Sequence, residues 1–87
     1  MTTGKRSTPY VLVVDDEEHI AEMVSMGLGF NGYEVGRAAS GRGALDEIRR
    51  RRPDLVVLDV MLPDLDGFEV ARRLRQTEGA GPRLPII

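Results

Sequence analysis

Leu55-Val56-Val57-Leu58-Asp59-Val60-Met61-Leu62-Pro63 decides the fold. It opens with four apolar residues in a row, two of them β-branched. An unbroken apolar run suits a parallel strand covered on both faces, because a strand with one wet face alternates apolar and polar residues. The run stops abruptly at Asp59, which the strand reading puts at its carboxyl end. In open α/β sheets, chemistry is placed in crevices outside those ends. On position alone, Asp59 is either a turn residue that opens a loop or a site residue.

A second stretch breaks the tie. Tyr10-Val11-Leu12-Val13-Val14 is another short apolar run, and it too ends on acid, at Asp15-Asp16-Glu17-Glu18. Strand patterns alternating with helical ones imply parallel neighbours, so Asp15, Asp16 and Asp59 are expected at one edge of one sheet. Carboxylates crowded together repel one another and disfavour full ionisation. A divalent cation removes that penalty.

Composition bounds the rest. The chain has 87 residues, 41% hydrophobic and 30% charged, which fits one modest folded domain and argues against disorder throughout. Its net charge of -2 does not point to a nucleic-acid binder. The absence of cysteine excludes disulfides, thiolate chemistry and sulfur-based metal sites, and fits a reducing compartment. No apolar run approaches the roughly 20 residues of a spanning helix, and no apolar segment backs the charges of the amino terminus. The expectation is a soluble, unexported, cytoplasmic chain without membrane association.

Residues 1–9 read as a polar, disordered lead-in. A first strand covers Tyr10 to Val14. From Glu17 to Phe30, Ile20, Met23, Val24, Gly27 and Leu28 fall at helical spacing, with Asp16 as N-cap. Asn31-Gly32 ends that helix, and a second strand is expected over Tyr33 to Arg37. Ser40 caps a helix running through Ala44, Leu45 and Ile48 to Arg52, where the arginines Arg49 to Arg52 complement the helix dipole and Pro53 stops it. After the strand Leu55 to Leu58, the loop holds Pro63 and Gly67 at turn positions. Asp66 with Glu69 reads as a capping box. The helix behind it is expected to turn Phe68, Ala71 and Leu74 to the sheet, flanked by Val70, with Arg72, Arg73 and Arg75 outward. Glu78 to Pro82 ends it, and Leu84-Pro85-Ile86-Ile87 opens a fourth strand.

This order, with acids after the first and third strands, resembles the receiver domain of two-component response regulators. Asp15-Asp16-Glu17 is similar to the family's acidic cluster, Asp59 to its phosphoacceptor, and Met61 to Gly67 to the loop that follows it. The resemblance covers residues 10–87 as a partial receiver domain. It implies an α/β fold, a flavodoxin-like doubly wound parallel sheet that is incomplete and ends at the start of strand four. It further implies that Asp59 accepts a phosphoryl group from a sensor histidine kinase with the help of Mg²⁺. Asp16 and Asp59 would bind the ion directly, Asp15 through water, and Met61 through its backbone carbonyl. Relatives of this composition commonly precede a DNA-binding domain, so any contact with DNA would run through a domain outside these residues.

The chain departs from the family pattern in reaching only the start of the fourth strand. The hydroxyl residue ending that strand, and the lysine and aromatic residue of the fifth, lie outside it. Lys5, the one lysine, sits in the lead-in and does not fill the family's lysine position. Leu55 to Leu58 is then expected to be an exposed apolar edge, and a homodimer completing the sheet in trans is one way to cover it.

Rival readings have specific tests. A non-phosphorylated dimerisation or interaction fragment is the alternative if the distant lysine and hydroxyl are needed. A phosphatase using an aspartyl phosphate would need a second aspartate two residues past Asp59, where Met61 stands, so the chain is not read as an enzyme. Gly27-Leu28-Gly29-Phe30-Asn31-Gly32 has dinucleotide-fingerprint spacing in the wrong helix-to-strand context. His19 reads as a surface residue, Met23, Met26 and Met61 as packing, and Asp64 as a turn former.

Overall fold

The computed structural model describes residues 8–78 and 84–87. Most of the lead-in expected over 1–9, Lys5 included, lies outside the described residues, as do residues 79–83 beyond the third helix. Strands β1 (Tyr10–Val14), β2 (Glu34–Ala38) and β3 (Leu55–Leu58) form one parallel sheet in the order β2-β1-β3. Helix α1 (Glu18–Phe30) links β1 to β2, α2 (Gly41–Arg50) links β2 to β3, and α3 (Gly67–Glu78) follows β3. Parallel neighbours need such crossovers, since a tight turn cannot return the chain to the same end of the sheet. The arrangement is flavodoxin-like and doubly wound over these elements, and incomplete at the fourth strand.

Both faces of β1 are covered, which is why its sequence runs apolar without alternation. Leu12 and Val14 pack with Ala44 and Ile48 of α2, Leu74 of α3, Val56 and Leu84. Val11 and Val13 pack the other way against Ala21 of α1, with Val24, Leu28 and Val35 beside them. Each fully buried Val or Leu contributes about 1.5–3 kcal/mol, so this strand anchors the domain.

Helix faces are rotated from the expected stripes. On α1 the sheet-facing residues are Ala21, Val24 and Leu28, while Ile20, Met23 and Met26 are exposed, Met23 by 70%. The methionines expected as packing, Met61 included, are therefore at the surface. The residues Ile20 to Phe30 carry apolar side chains around most of the helix, so spacing alone does not choose the buried side. Likewise α3 buries Val70 and Leu74, while Phe68 is exposed. Arg75 is not simply outward, since its Nη1 donates to the Leu84 carbonyl at 2.9 Å.

Helix ends also differ in detail. The α1 N-cap is Glu17, not Asp16: the Glu17 carboxylate accepts from His19 N at 3.1 Å, while Asp15 Oδ1 accepts from Glu17 N at 2.9 Å. Asp66 does cap α3, accepting from Glu69 N at 2.8 Å. Glu69 does not reach back to complete a capping box, because its carboxylate is held by Arg72 and Arg73. Helix α2 stops at Arg50, and Arg51 leaves it to bind Glu34 through two bonds of 2.8 Å with its guanidinium 4.0 Å over the Tyr10 ring. The arginine run thus does more than answer the helix dipole.

Among the described residues a full fourth strand is not formed. Ile86 makes a single parallel bridge to Val56, with Val56 N donating to Pro85 O at 3.0 Å and Leu58 N to Ile87 O at 2.9 Å. The outer edge of β3 is therefore engaged at these positions instead of being open along its length as expected.

Candidate functional site

Register builds the site. In the β1–β3 ladder Val14 lies opposite Leu58, so the next residue on each strand, Asp15 and Asp59, emerges side by side. The backbone continues the pairing past the apolar run: Asp59 N donates to Val14 O at 3.0 Å, and Asp15 N donates to Ala38 O at 3.1 Å on the other side. Asp16 follows directly. One carboxylate oxygen from each of Asp15, Asp16 and Asp59 lies within 4.8 Å of the others. Asp15 and Asp59 are half-buried and Asp16 is exposed.

Local bonds hold the cluster in place. Asp15 spends one oxygen on the Glu17 amide at the start of α1, and Asp59 Oδ1 accepts from Met61 N at 3.3 Å. Gly67 closes the loop after Asp59, its N–H donating to Val60 O at 2.7 Å. A Cβ at that position would fall 2.6 Å from the Asp59 carbonyl oxygen, so only glycine lets α3 begin this near the acid. Beside Asp15 and Asp16, an open cleft of about 280 Å³ is lined by Glu18, Ala21, Arg37, Ala38 and Ala39.

The structure thus brings together all three acids singled out from the sequence. The donor set is oxygen only, with no nitrogen or sulfur among the clustered groups, and such a set suits a hard divalent cation. His19 stays apart, with its side chain 94% exposed near Glu17. Two residues escaped the sequence reading. Arg37 contributes a positive charge to the cleft, and Asp64, read as a turn former, reaches across to the amino terminus of α2. Neither spacing nor periodicity signals contacts between segments this far apart.

Residues 11–87 match the response regulator receiver domain. The chain belongs to that family. Its receiver residues are 54% identical over 77 residues to the response regulator MprA of Mycolicibacterium vanbaalenii, covering 88% of this chain and 32% of that protein. Among solved structures, the chemotaxis response regulator CheY4 of Vibrio cholerae superposes with a TM-score of 0.85 at 39% identity, covering 92% of this chain and 66% of that one. TrrA of Thermotoga maritima, solved in complex with Mg²⁺-BeF, gives a TM-score of 0.79 at 38% identity, covering 82% and 62%. This receiver therefore spans about a third of the length of the curated relative it matches. Receivers are signalling modules, as the reading of the chain as a non-enzyme expected. The receiver carries the acidic cluster that resembles the family's Mg²⁺ site. No helix among the described residues is long and apolar enough to cross a membrane.

Proposed function

We propose that residues 10–87 are the phosphoryl-accepting part of a two-component response regulator, with Asp59 as acceptor and a sensor histidine kinase as donor. The observation that carries this reading is the meeting of the Asp15, Asp16 and Asp59 carboxylates at the carboxyl edge of the sheet in a chain of the receiver family. An Asp59 carboxylate oxygen attacks the phosphorus of a phosphohistidine. The phosphorus–nitrogen bond breaks, its electrons return to the imidazole, and the ring keeps or takes up a proton while Asp59 carries the phosphoryl group as an acyl phosphate.

Asp16 and Asp59 would hold a Mg²⁺ ion directly, Asp15 through water, with the Met61 carbonyl as a further oxygen. When bound, the ion supplies the positive charge that lets a carboxylate approach an anionic phosphoryl group. The Mg²⁺-BeF complex of TrrA supports this assignment. The cysteine-free composition supports a reducing, cytoplasmic setting. The greater length of MprA supports an output domain, DNA-binding in our reading, beyond these residues.

Incubation with acetyl phosphate and Mg²⁺, followed by intact-mass spectrometry, tests the proposal. One added phosphoryl group, labile to hydroxylamine and lost in Asp59→Asn, is the expected result. No adduct, or one that survives Asp59→Asn, overturns it.

A second reading draws on a different observation. An apolar groove of about 190 Å³ lies beside the last paired residues, lined by Leu58, Val60, Phe68, Ala71, Ile86 and Ile87, with Phe68 exposed by 74%. A homodimer completing the sheet in trans would cover it. Size-exclusion chromatography with light scattering decides this, and a folded monomer rules it out.

A further inference from the structure

The loop from Asp59 to Asp66 is pinned at three places. Asp59 Oδ1 holds Met61 N, and Val60 O holds Gly67 N, both within the loop and its exit. The third pin reaches another element. Asp64 Oδ1 accepts from Gly41 N at 2.8 Å and its Oδ2 from Arg42 N at 3.0 Å, taking up the first two free N–H groups of α2. Ser40 Oγ accepts the next, from Gly43 N at 3.0 Å.

The fit is close. A Cβ at Gly41 would lie 2.8 Å from Leu65 Cβ and from Val70 Cγ2, so the start of α2 sits directly against the loop and α3. Asp64 Oδ1 also accepts from Leu65 N at 2.8 Å, which sets the turn that aims the carboxylate. The Arg42 and Gly41 amides hold its carboxyl well below the ordinary range, at about 2, so it is ionised wherever the protein is folded near neutrality.

We infer that Asp64 is a positioning residue for the phosphoacceptor loop: by tying that loop to the amino terminus of α2, it keeps the Met61 peptide in one place relative to Asp59. The functional consequence rests on the Mg²⁺ assignment made above. Asp59 itself is secured by its backbone bond to Val14, so loosening the tie moves the peptide after the acid and leaves the acid where it is. Outer hydrogen-bond partners of metal sites act in this way, by ordering the ligands rather than by touching the ion.

The test compares Asp64→Ala with Ser40→Ala, which removes an α2 cap without touching the loop, and with Asp64→Asn, which keeps one acceptor. Mg²⁺ binding by calorimetry and backbone NMR order parameters at Met61 and Leu62 are the readouts. Asp64→Ala should weaken Mg²⁺ about tenfold and lower the order parameters toward about 0.6. Ser40→Ala should change neither, and Asp64→Asn should fall between. Unchanged order parameters in Asp64→Ala, unchanged Mg²⁺ affinity despite a loosened loop, or equal losses in Asp64→Ala and Ser40→Ala would each overturn the inference. If the unsubstituted chain binds no Mg²⁺, the metal assignment fails, and the order parameters alone decide whether Asp64 positions the loop.

Discussion

Val14 pairs with Leu58 across the parallel β1–β3 ladder, and this pairing sets the Asp15 and Asp59 carboxylates beside each other. The apolar run of β3 is bounded by Asp54 and Asp59, so a slip by one residue would draw a carboxylate into the buried ladder, where a charge is costly. The acids are therefore brought together by strand pairing and by the core packing of the residues before them.

Three carboxylates this near one another are expected to repel when no cation lies between them. Asp16→Asn removes one of the clustered charges and should raise the unfolding free energy in EDTA by about 1 kcal/mol, the scale of a like-charge contact near water. The same substitution should erase the stabilisation that Mg²⁺ confers on the unsubstituted protein, about 2.7 kcal/mol at a hundred times its dissociation constant. Denaturant titrations with and without Mg²⁺ check both halves. A variant that is less stable in EDTA would contradict the repulsion.

Gly67→Ala places a methyl group against the Asp59 carbonyl oxygen. The loop must shift, at an expected cost of about 1–3 kcal/mol. Urea unfolding of the variant provides the measurement. A loss within about 0.5 kcal/mol, the range of an ordinary surface change, would show that the loop yields freely.

Acid should weaken the fold through two carboxylates outside the cluster. Asp64 is lowered from 3.8 to about 2 by the Arg42 and Gly41 amides, and Glu69 from 4.5 to about 2 by Arg72 and then Arg73. The unfolded chain binds protons on these groups before the folded one does, so their stabilisation is complete above the ordinary values and drains as pH falls toward 2. Melting temperatures followed from neutral pH down through this window should fall less steeply in Asp64→Asn and Glu69→Gln than in the parent. Parallel profiles would remove these two groups from the acid response.

The rotated face of α1 has its own test. Leu28→Ala, on the side of α1 that packs with Val11 and Val13, should cost about 2 kcal/mol, the low end for a Leu→Ala change because the side chain is only partly buried. Met23→Ala should stay within about 0.5 kcal/mol, since its side chain is mostly in water. A large loss from Met23→Ala would mean that another surface covers that side of the helix in solution.

The amino-acid sequence by itself determined the strands Tyr10–Val14 and Leu55–Leu58, the acids at their carboxyl ends, and the caps Ser40 and Asp66. These are local properties: an apolar run long enough for one strand, and a side chain that bonds an amide three residues on. Tertiary structure alone decided which side of α1 faces the sheet, that Arg51 leaves its helix to clasp Glu34 and Tyr10, and that Asp64 closes on Gly41 and Arg42. In each of these the partners are far apart in the chain, or several helix faces are equally apolar. Which contact forms is then settled by packing around β1, and no spacing between neighbouring residues encodes it.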